Sequence, residues 1–261
     1  MPELPEVATY QKFFDMAATG RKVTDVEVAE PRVVTVSPEE LQQSVVGQRW
    51  EETQRIGKHL LVKLSDGGWM TIHFGMTGSL RSFKDREDAP RFTKVLFALD
   101  DGFFLAFRCP RILGRVGLTE SLSAYQKDKK LGPDALTVSW EEFQEILDGR
   151  TGLIKPLLMH QSAVAGLGNW IVDDILYQAG IHPERRANEL SEAERKAIFN
   201  KMKYILKTAV ELESRYEDFP DEFLVTYRWS KNQHRQEEIN LEILKVGGRS
   251  TYIDAKRQKR L

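Results

Sequence analysis

The sequence predicts an α+β protein in two parts: an N-terminal helix with an antiparallel β-sandwich, then a helical region closed by a β-hairpin. Three observations predict it. Short alternating or apolar runs crowd residues 22–107, with Asp-Gly turn signals between them. Past residue 135 the apolar spacing lengthens to the period of helices. Gly247-Gly248 then separates two strand-like runs near the end.

Residues 3–17 read as a helix, since Pro5 suits a first turn and Val7, Tyr10, Phe13 and Phe14 form an apolar stripe. Strands are expected at 22–28, 59–64, 69–73, 94–99 and 103–107, with hairpin turns at Asp66-Gly67-Gly68 and Asp100-Asp101-Gly102. The polar, lysine-rich stretch 125–133 reads as a linker. Helices follow at 139–147, 152–160 and 169–179. A long one runs from Ser191 to about Ser214, opened by a capping box of Ser191 and Glu194. These elements set the boundaries: a first domain over 1–125, a linker over 126–134, a helical domain over 135–238 and a hairpin over 239–261.

The chain has 261 residues, 41% of them hydrophobic and 10% aromatic, which is the make-up of a globular protein and not of a disordered one. No apolar run is long enough to cross a bilayer and no basic-then-apolar leader opens the chain, so a cytoplasmic protein that is not membrane-bound is expected. The single cysteine, Cys109, excludes an intrachain disulfide and a multi-cysteine zinc site. The formal net charge of −1 hides an uneven distribution. Residues 211–222 are strongly acidic, whereas residues 245–261 carry six Lys or Arg against one Asp. Phosphate affinity depends on such local clusters, so the neutral total leaves a nucleic-acid site open.

The N-terminus can carry chemistry. A small second residue lets an initiator methionine be removed, which leaves Pro2 with a secondary amine able to attack an electrophilic carbon and form an iminium. Glu3 can donate a proton to a leaving or ring-opening oxygen, and Glu6, one helical turn on, can orient the same substrate. The positive end of the helix dipole disfavours the protonated amine. Met-Pro-Glu is also an ordinary helix start. A catalytic N-terminal proline occurs in tautomerases as well, but those are much shorter chains.

The opening string MPELPEV resembles the start of the formamidopyrimidine-DNA glycosylase and endonuclease VIII family, and four further motifs follow in the family's order. Gly57-Lys58-His59-Leu60 resembles its Gly-Lys-Tyr-Leu segment, and His73 to Leu80 resembles its His-Leu-Gly-Met-Ser-Gly segment. Ile154 to Met159 leads into Gly166-Leu167-Gly168-Asn169, which resembles its helix–two-turn–helix element and continues through Ala179-Gly180-Ile181-His182-Pro183. The resemblance implies a monomeric enzyme without cofactor, acting in the cytoplasm or nucleoid on double-stranded DNA with damaged bases or abasic sites, bound between two domains. It implies that Pro2 is the nucleophile at C1′ of the damaged nucleotide, Glu3 the acid–base group at the sugar and Glu6 a supporting carboxylate. Lys58 would contact a phosphate and assist elimination. Lys155, Asn169 and Arg249 would bind DNA, with Asn169 holding a phosphate at a helix N-terminus. His73 would bind DNA or serve as a buried structural histidine. Met76, Arg111 and Leu113 would fill the gap left by the flipped base.

The chain also departs from the family. Cys109-Pro110-Arg111-Ile112-Leu113-Gly114 stands where the family has Asp-Pro-Arg-Arg-Phe-Gly, so Leu113 replaces an intercalating Phe. Residues 246–259 follow the second half of the family's zinc finger, yet Ile253 and Arg257, or their neighbours, stand at the cysteine positions. A zincless finger without bound metal is expected. The segment 215–222 is short where 8-oxoguanine specialists carry a longer loop. That points toward formamidopyrimidines, oxidised pyrimidines or abasic sites. His160 replaces the usual Asp after Leu-Met, and the sequence offers no role for it. The alternative is a paralogue that binds lesions without cutting, but such a binder has no need of Pro2, Glu3, Glu6 and Lys58.

Overall fold

The computed structural model describes residues 1–228 and 240–259. It divides into two compact units, one of Met1–Pro2 and Glu6–Lys129, the other of Glu3–Pro5 and Lys130–Leu261. Helix α1 (Leu4–Ala17) therefore gives its first two residues to the second unit and the rest to the first.

The first unit is the expected sandwich of two antiparallel sheets. One holds β1 (Val23–Val28), β6 (Thr93–Leu99), β7 (Phe104–Arg108) and β5 (Ser79–Phe83) in that order. The other holds β2 (Trp50–Ile56), β3 (His59–Leu64), β4 (Trp69–His73) and β8 (Arg115–Thr119). Inward side chains of both sheets, among them Phe97, Phe107, Leu60 and Ile72, merge in one core with Val7 and Phe14 of α1. Trp50 stands at its centre, its ring 4.9 Å from Phe14 and 5.3 Å from Phe97. Helix α2 (Pro38–Val45) seals one end with Leu41 and Val45, and the Ser37 side chain caps it by accepting from Glu40 N.

The start of the expected linker is helical: α3 (Leu122–Asp128) buries Tyr125 against Leu61 and Trp69 on the outer face of the second sheet. Tyr125 is the apolar residue that holds this polar segment down.

The second unit is built around α6 (Asn169–Ala179), whose residues Trp170 to Gln178 are all buried. Packed around it are α4 (Trp140–Leu147), α5 (Ile154–Met159) and α7 (Glu192–Glu211). Capping boxes open α4 at Ser139 with Glu142 and α7 at Ser191 with Glu194, each satisfying donors that a bare helix end leaves open. Strands β9 (Leu241–Val246) and β10 (Arg249–Asp254) form the terminal hairpin, with Val246 paired to Arg249 across Gly247-Gly248. Both glycines have positive φ, 55° and 76°, the requirement of the tight primed turn that matches strand twist. Among the described residues no helix is long and apolar enough to cross a membrane.

Candidate active site and nucleic-acid interface

The site begins with Glu3, which is only 4% exposed. Its carboxylate accepts from the backbone N–H of Trp170 at 3.1 Å and of Ile171 at 3.3 Å. These are donors of the first turn of α6, so the positive end of that helix is occupied by a residue of the chain itself. Leu4 N also donates to the Gly166 carbonyl at 3.1 Å. The two glycines of the turn make this approach possible. A Cβ on Gly168 would lie 2.5 Å from Glu3 Oε2, and one on Gly166, whose φ is +107°, would lie 2.5 Å from Leu4 Cδ1. The helix N-terminus at which Asn169 is expected to hold a phosphate also receives the Glu3 carboxylate. Gln161 braces the turn from inside, donating to Met159 O and Leu167 O and accepting from Gly166 N.

Pro2 is half-buried and precedes Glu3 by one peptide bond. In the first unit α1 is fixed by Tyr10, stacked on Phe74 at 4.4 Å, and by Gln11, which donates to Thr53 Oγ1. Glu6 lies half-buried on the same helix. Lys58 follows Gly57 in the two-residue turn between β2 and β3, where Ile56 pairs with His59, and it is 6% exposed.

His59 and His73 are partners across β3 and β4, with ring centroids 4.7 Å apart. Burial pushes His73 down to about 4, and the nearby Lys58 charge adds to the shift. Burial also pushes His59 down to about 3, with His73 and Lys129 next in effect. Both rings are neutral at neutral pH. His73 Nδ1 accepts from Gly75 N, so its proton sits on Nε2, and the ring can act as a hydrogen-bond donor there. His59 Nδ1 pairs with Tyr125 Oη at 2.9 Å.

The candidate wedge residues come together on adjacent loops of the first unit. Met76 and Leu113 are exposed, as is Arg111. The Gly75 backbone lies against the Leu113–Gly114 peptide so closely that a Cβ would be 2.5 Å from Leu113 O. Cys109 organises the second loop: its sulfur accepts from Gly114 N at 3.2 Å and its carbonyl from Ile112 N. The thiol thus has a structural place that composition alone did not suggest.

In the second unit Asn169 and the hairpin are brought together. Asn169 Nδ2 donates to Ser250 O at 2.9 Å, which sets exposed Arg249 one residue from it and leaves the amide a second N–H. Lys155 requires a correction. It is fully buried, its Nζ 2.6 Å from Asp173 Oδ1 and 2.7 Å from Thr251 Oγ1, so it offers no charge to DNA. It is a pin joining α5, α6 and β10. Burial pushes the ammonium's pKa down, and Asp173 opposes that.

Asp173 also accepts from Tyr252 N and faces Arg228 at 3.7 Å. The next residue, Asp174, accepts from Leu224 N and Val225 N, and burial raises it to about 7. Sequence reasoning missed this pair, although two adjacent carboxylates inside an apolar helix were a visible signal.

The hairpin is held without thiols. Gln258 donates to Ile181 O, Arg257 donates to Gln178 O and lies 4.7 Å from the Tyr177 ring centroid, and Val246 and Ile253 are buried. Ile253 and Arg257 cannot ligate zinc, and among the described residues no group of three or more His, Cys, Asp or Glu could hold a metal ion. His160 ends α5 and bonds Ser162 Oγ through Nδ1 at 2.8 Å, a turn role. The short segment after α7 folds back as an aromatic cluster, with Tyr216 and Phe219 5.8 and 5.9 Å from Trp170.

Residues 1–116 match the formamidopyrimidine-DNA glycosylase N-terminal domain family, and residues 131–220 match the formamidopyrimidine-DNA glycosylase H2TH domain family. The chain is 31% identical to a formamidopyrimidine-DNA glycosylase of Arabidopsis thaliana, covering 99% of this chain and 71% of that protein. It is 34% identical to the one of Pelotomaculum thermopropionicum, covering 97% of each. Among solved structures, the Lactococcus lactis enzyme non-covalently bound to abasic-site DNA superposes with a TM-score of 0.83 at 27% identity, covering 99% of this chain and all of that one. The same enzyme with DNA containing a formamidopyrimidine deoxyguanosine gives 0.85 at 28% identity over the same shares.

Proposed function

Because this chain belongs to the formamidopyrimidine-DNA glycosylase family, we propose that it excises damaged bases from double-stranded DNA and cleaves the resulting abasic site through a Schiff base on Pro2. With Met1 removed, the Pro2 lone pair attacks C1′, and the C1′–N bond breaks with its electrons leaving on the base. The nitrogen then loses its N–H proton, and the pair so freed forms the C1′=N iminium as the C1′–O4′ bond breaks and its electrons leave on the ring oxygen, which takes a proton. The iminium acidifies the C2′ hydrogens and lets the 3′ and then the 5′ C–O bond break. Glu3 exchanges the proton at the sugar ring oxygen, with Glu6 in support. Lys58, Asn169 and Arg249 bind backbone phosphates; His73 donates through Nε2; and Met76, Arg111 and Leu113 occupy the vacated stack. Formamidopyrimidines, oxidised pyrimidines and abasic sites are the favoured substrates.

The observation that carries this reading is the seat of Glu3. A carboxylate next to Pro2 is held by two backbone donors in a pocket that only glycine at position 168 leaves open. Half-exposed Met1 leaves the end accessible for processing. Borohydride trapping on DNA with an abasic site tests it. The expected result is a covalent adduct that is lost on Pro2→Gly or when Met1 is retained. No adduct from protein whose mass shows a processed N-terminus would favour the non-cutting binder.

A further inference from the structure

Phe92 stands beside the wedge loops and has no part in the reading above. It is 46% exposed, an exposure similar to that of Met76 at 39% and Leu113 at 45%. Its backbone is strained, with φ of +68°, a conformation that a bulky side chain rarely adopts. A second strained residue, Ile112 at +56°, lies on the loop it touches. Ile112 turns its side chain onto the core, while Arg111 and Leu113 on either side stay exposed.

The two loops are tied by backbone. Cys109 N donates to Phe92 O at 3.0 Å, and Arg108 Nε donates to Arg91 O at 3.0 Å. Gly75 joins Met76 to the far side of the same loop. The loops of Phe92 and of Met76 are therefore each anchored to the segment Arg108–Gly114 that carries Leu113, with Arg91 and Arg111 exposed on the same unit. The Arg91 guanidinium lies 5.2 Å from the Phe92 ring centroid. Strain held at a solvent-facing aromatic marks a position whose surroundings over-determine it, as at ligand clamps. Apolar wedges flanked by arginines are the chemistry that inserts into or stacks on an unstacked base step while pairing with phosphates.

We propose that Phe92 is a DNA-reading residue, supplying the aromatic stacking surface that Leu113 lacks and packing against the base or sugar opposite the lesion. This rests on the glycosylase reading of the same loops. Leu113 offers no π-face and Phe92 does, so the two together restore a wedge of aromatic and aliphatic parts.

The test compares wild type with Phe92→Gly, whose backbone tolerates positive φ, and with Phe92→Tyr, which keeps the ring. Binding is measured to a duplex with a tetrahydrofuran abasic analogue and to the same duplex undamaged, with borohydride trapping at saturating abasic DNA alongside. Phe92→Gly is expected to weaken the damaged duplex roughly 5- to 100-fold, the scale of losing one stacked base, and the undamaged one less than twofold. Phe92→Tyr restores affinity, and trapping at saturation persists in all three. Undiminished binding by Phe92→Gly, or equal loss on both duplexes, overturns the proposal. Failure of wild type itself to trap overturns the glycosylase reading and this inference with it. Normal trapping with unchanged Phe92→Gly affinity overturns this inference alone.

Discussion

Gly168→Ala isolates the seat of Glu3. The added methyl would stand 2.5 Å from Glu3 Oε2 and nearer still to Oε1 and Cδ, well inside van der Waals contact, and Glu3 is itself buried. The backbone conformation of residue 168, with φ of −133°, is open to alanine, so the effect is steric and falls on the carboxylate. Moving it forfeits the bonds from Trp170 N and Ile171 N, 3.1 and 3.3 Å long. A hydrogen bond to a charged group contributes ~1.5–3 kcal/mol, and bonds of this length take the lower value, so ~3 kcal/mol of positioning is lost. That corresponds to about 100-fold in rate if it is all expressed in the transition state. Single-turnover cleavage of an abasic duplex measures it, with a thermal melt as control on folding. Glu3→Gln and the double variant complete a cycle. If the glycine acts only through Glu3, the double variant cleaves no more slowly than Glu3→Gln alone. A Gly168→Ala rate within threefold of wild type, or additive losses in the double variant, would refute the argument.

Arg249→Gln and Lys155→Met, both lysine or arginine losses in elements expected to meet DNA, should separate cleanly. Arg249→Gln is expected to flatten the plot of log affinity against log salt by about 0.9, the release associated with one phosphate contact. Lys155→Met should leave that slope alone but lower stability by about 3 kcal/mol, the low end for breaking a buried pair, because Arg228 still faces Asp173. A changed slope for Lys155→Met would show that its ammonium reaches DNA after all. Stability should also respond to pH in two opposed ways. His59 and His73 titrate at about 3 and about 4 in the folded chain, against 6.5 unfolded, so the unfolded chain binds more protons between these values and stability falls as pH drops below 6.5. His59→Gln should shrink that fall in melting temperature, and an unchanged fall would sink the assignment. Asp174 works the other way, with a folded value of about 7 against 3.8, so its stabilisation is complete below pH 3.8 and lost as pH rises through about 7. The stability of Asp174→Asn minus that of wild type, read from melting temperatures, should therefore climb from pH 5 to pH 8, with about 3 kcal/mol as the ceiling over that window; a flat difference would refute it.

What could be read from sequence was whatever a few neighbouring residues decide. The bounds of α6, the capping box at Ser191 and the turn at Gly247-Gly248 depend on spacing and on glycine's freedom at positive φ, and the structure has all three. Strands β2, β5 and β8 were not legible, because Glu51, Glu52 and Arg81 face solvent and Gly117 interrupts the last of them. Gly117 belongs in β8 because the Thr35 side chain occupies the space a Cβ would need. The candidate site divides along the same line. Its residue types follow from motif, but their partners do not. Glu3 meets Trp170 across 167 positions, and Lys155 meets Thr251 across 96. A lysine in a DNA-binding element reads as surface charge by default. The contrary signal lay elsewhere in the chain: Asp173 and Asp174, set between Val172 and Ile175, put two carboxylates where only apolar contacts were expected. A buried carboxylate needs a cation or several N–H donors. Asp174 finds the donors in Leu224 and Val225, and Asp173 finds the cation in Lys155. Two acids in an apolar helix thus oblige a basic residue nearby to leave the surface, and that demand, not the local sequence around Lys155, decides that it holds the hairpin instead of the DNA.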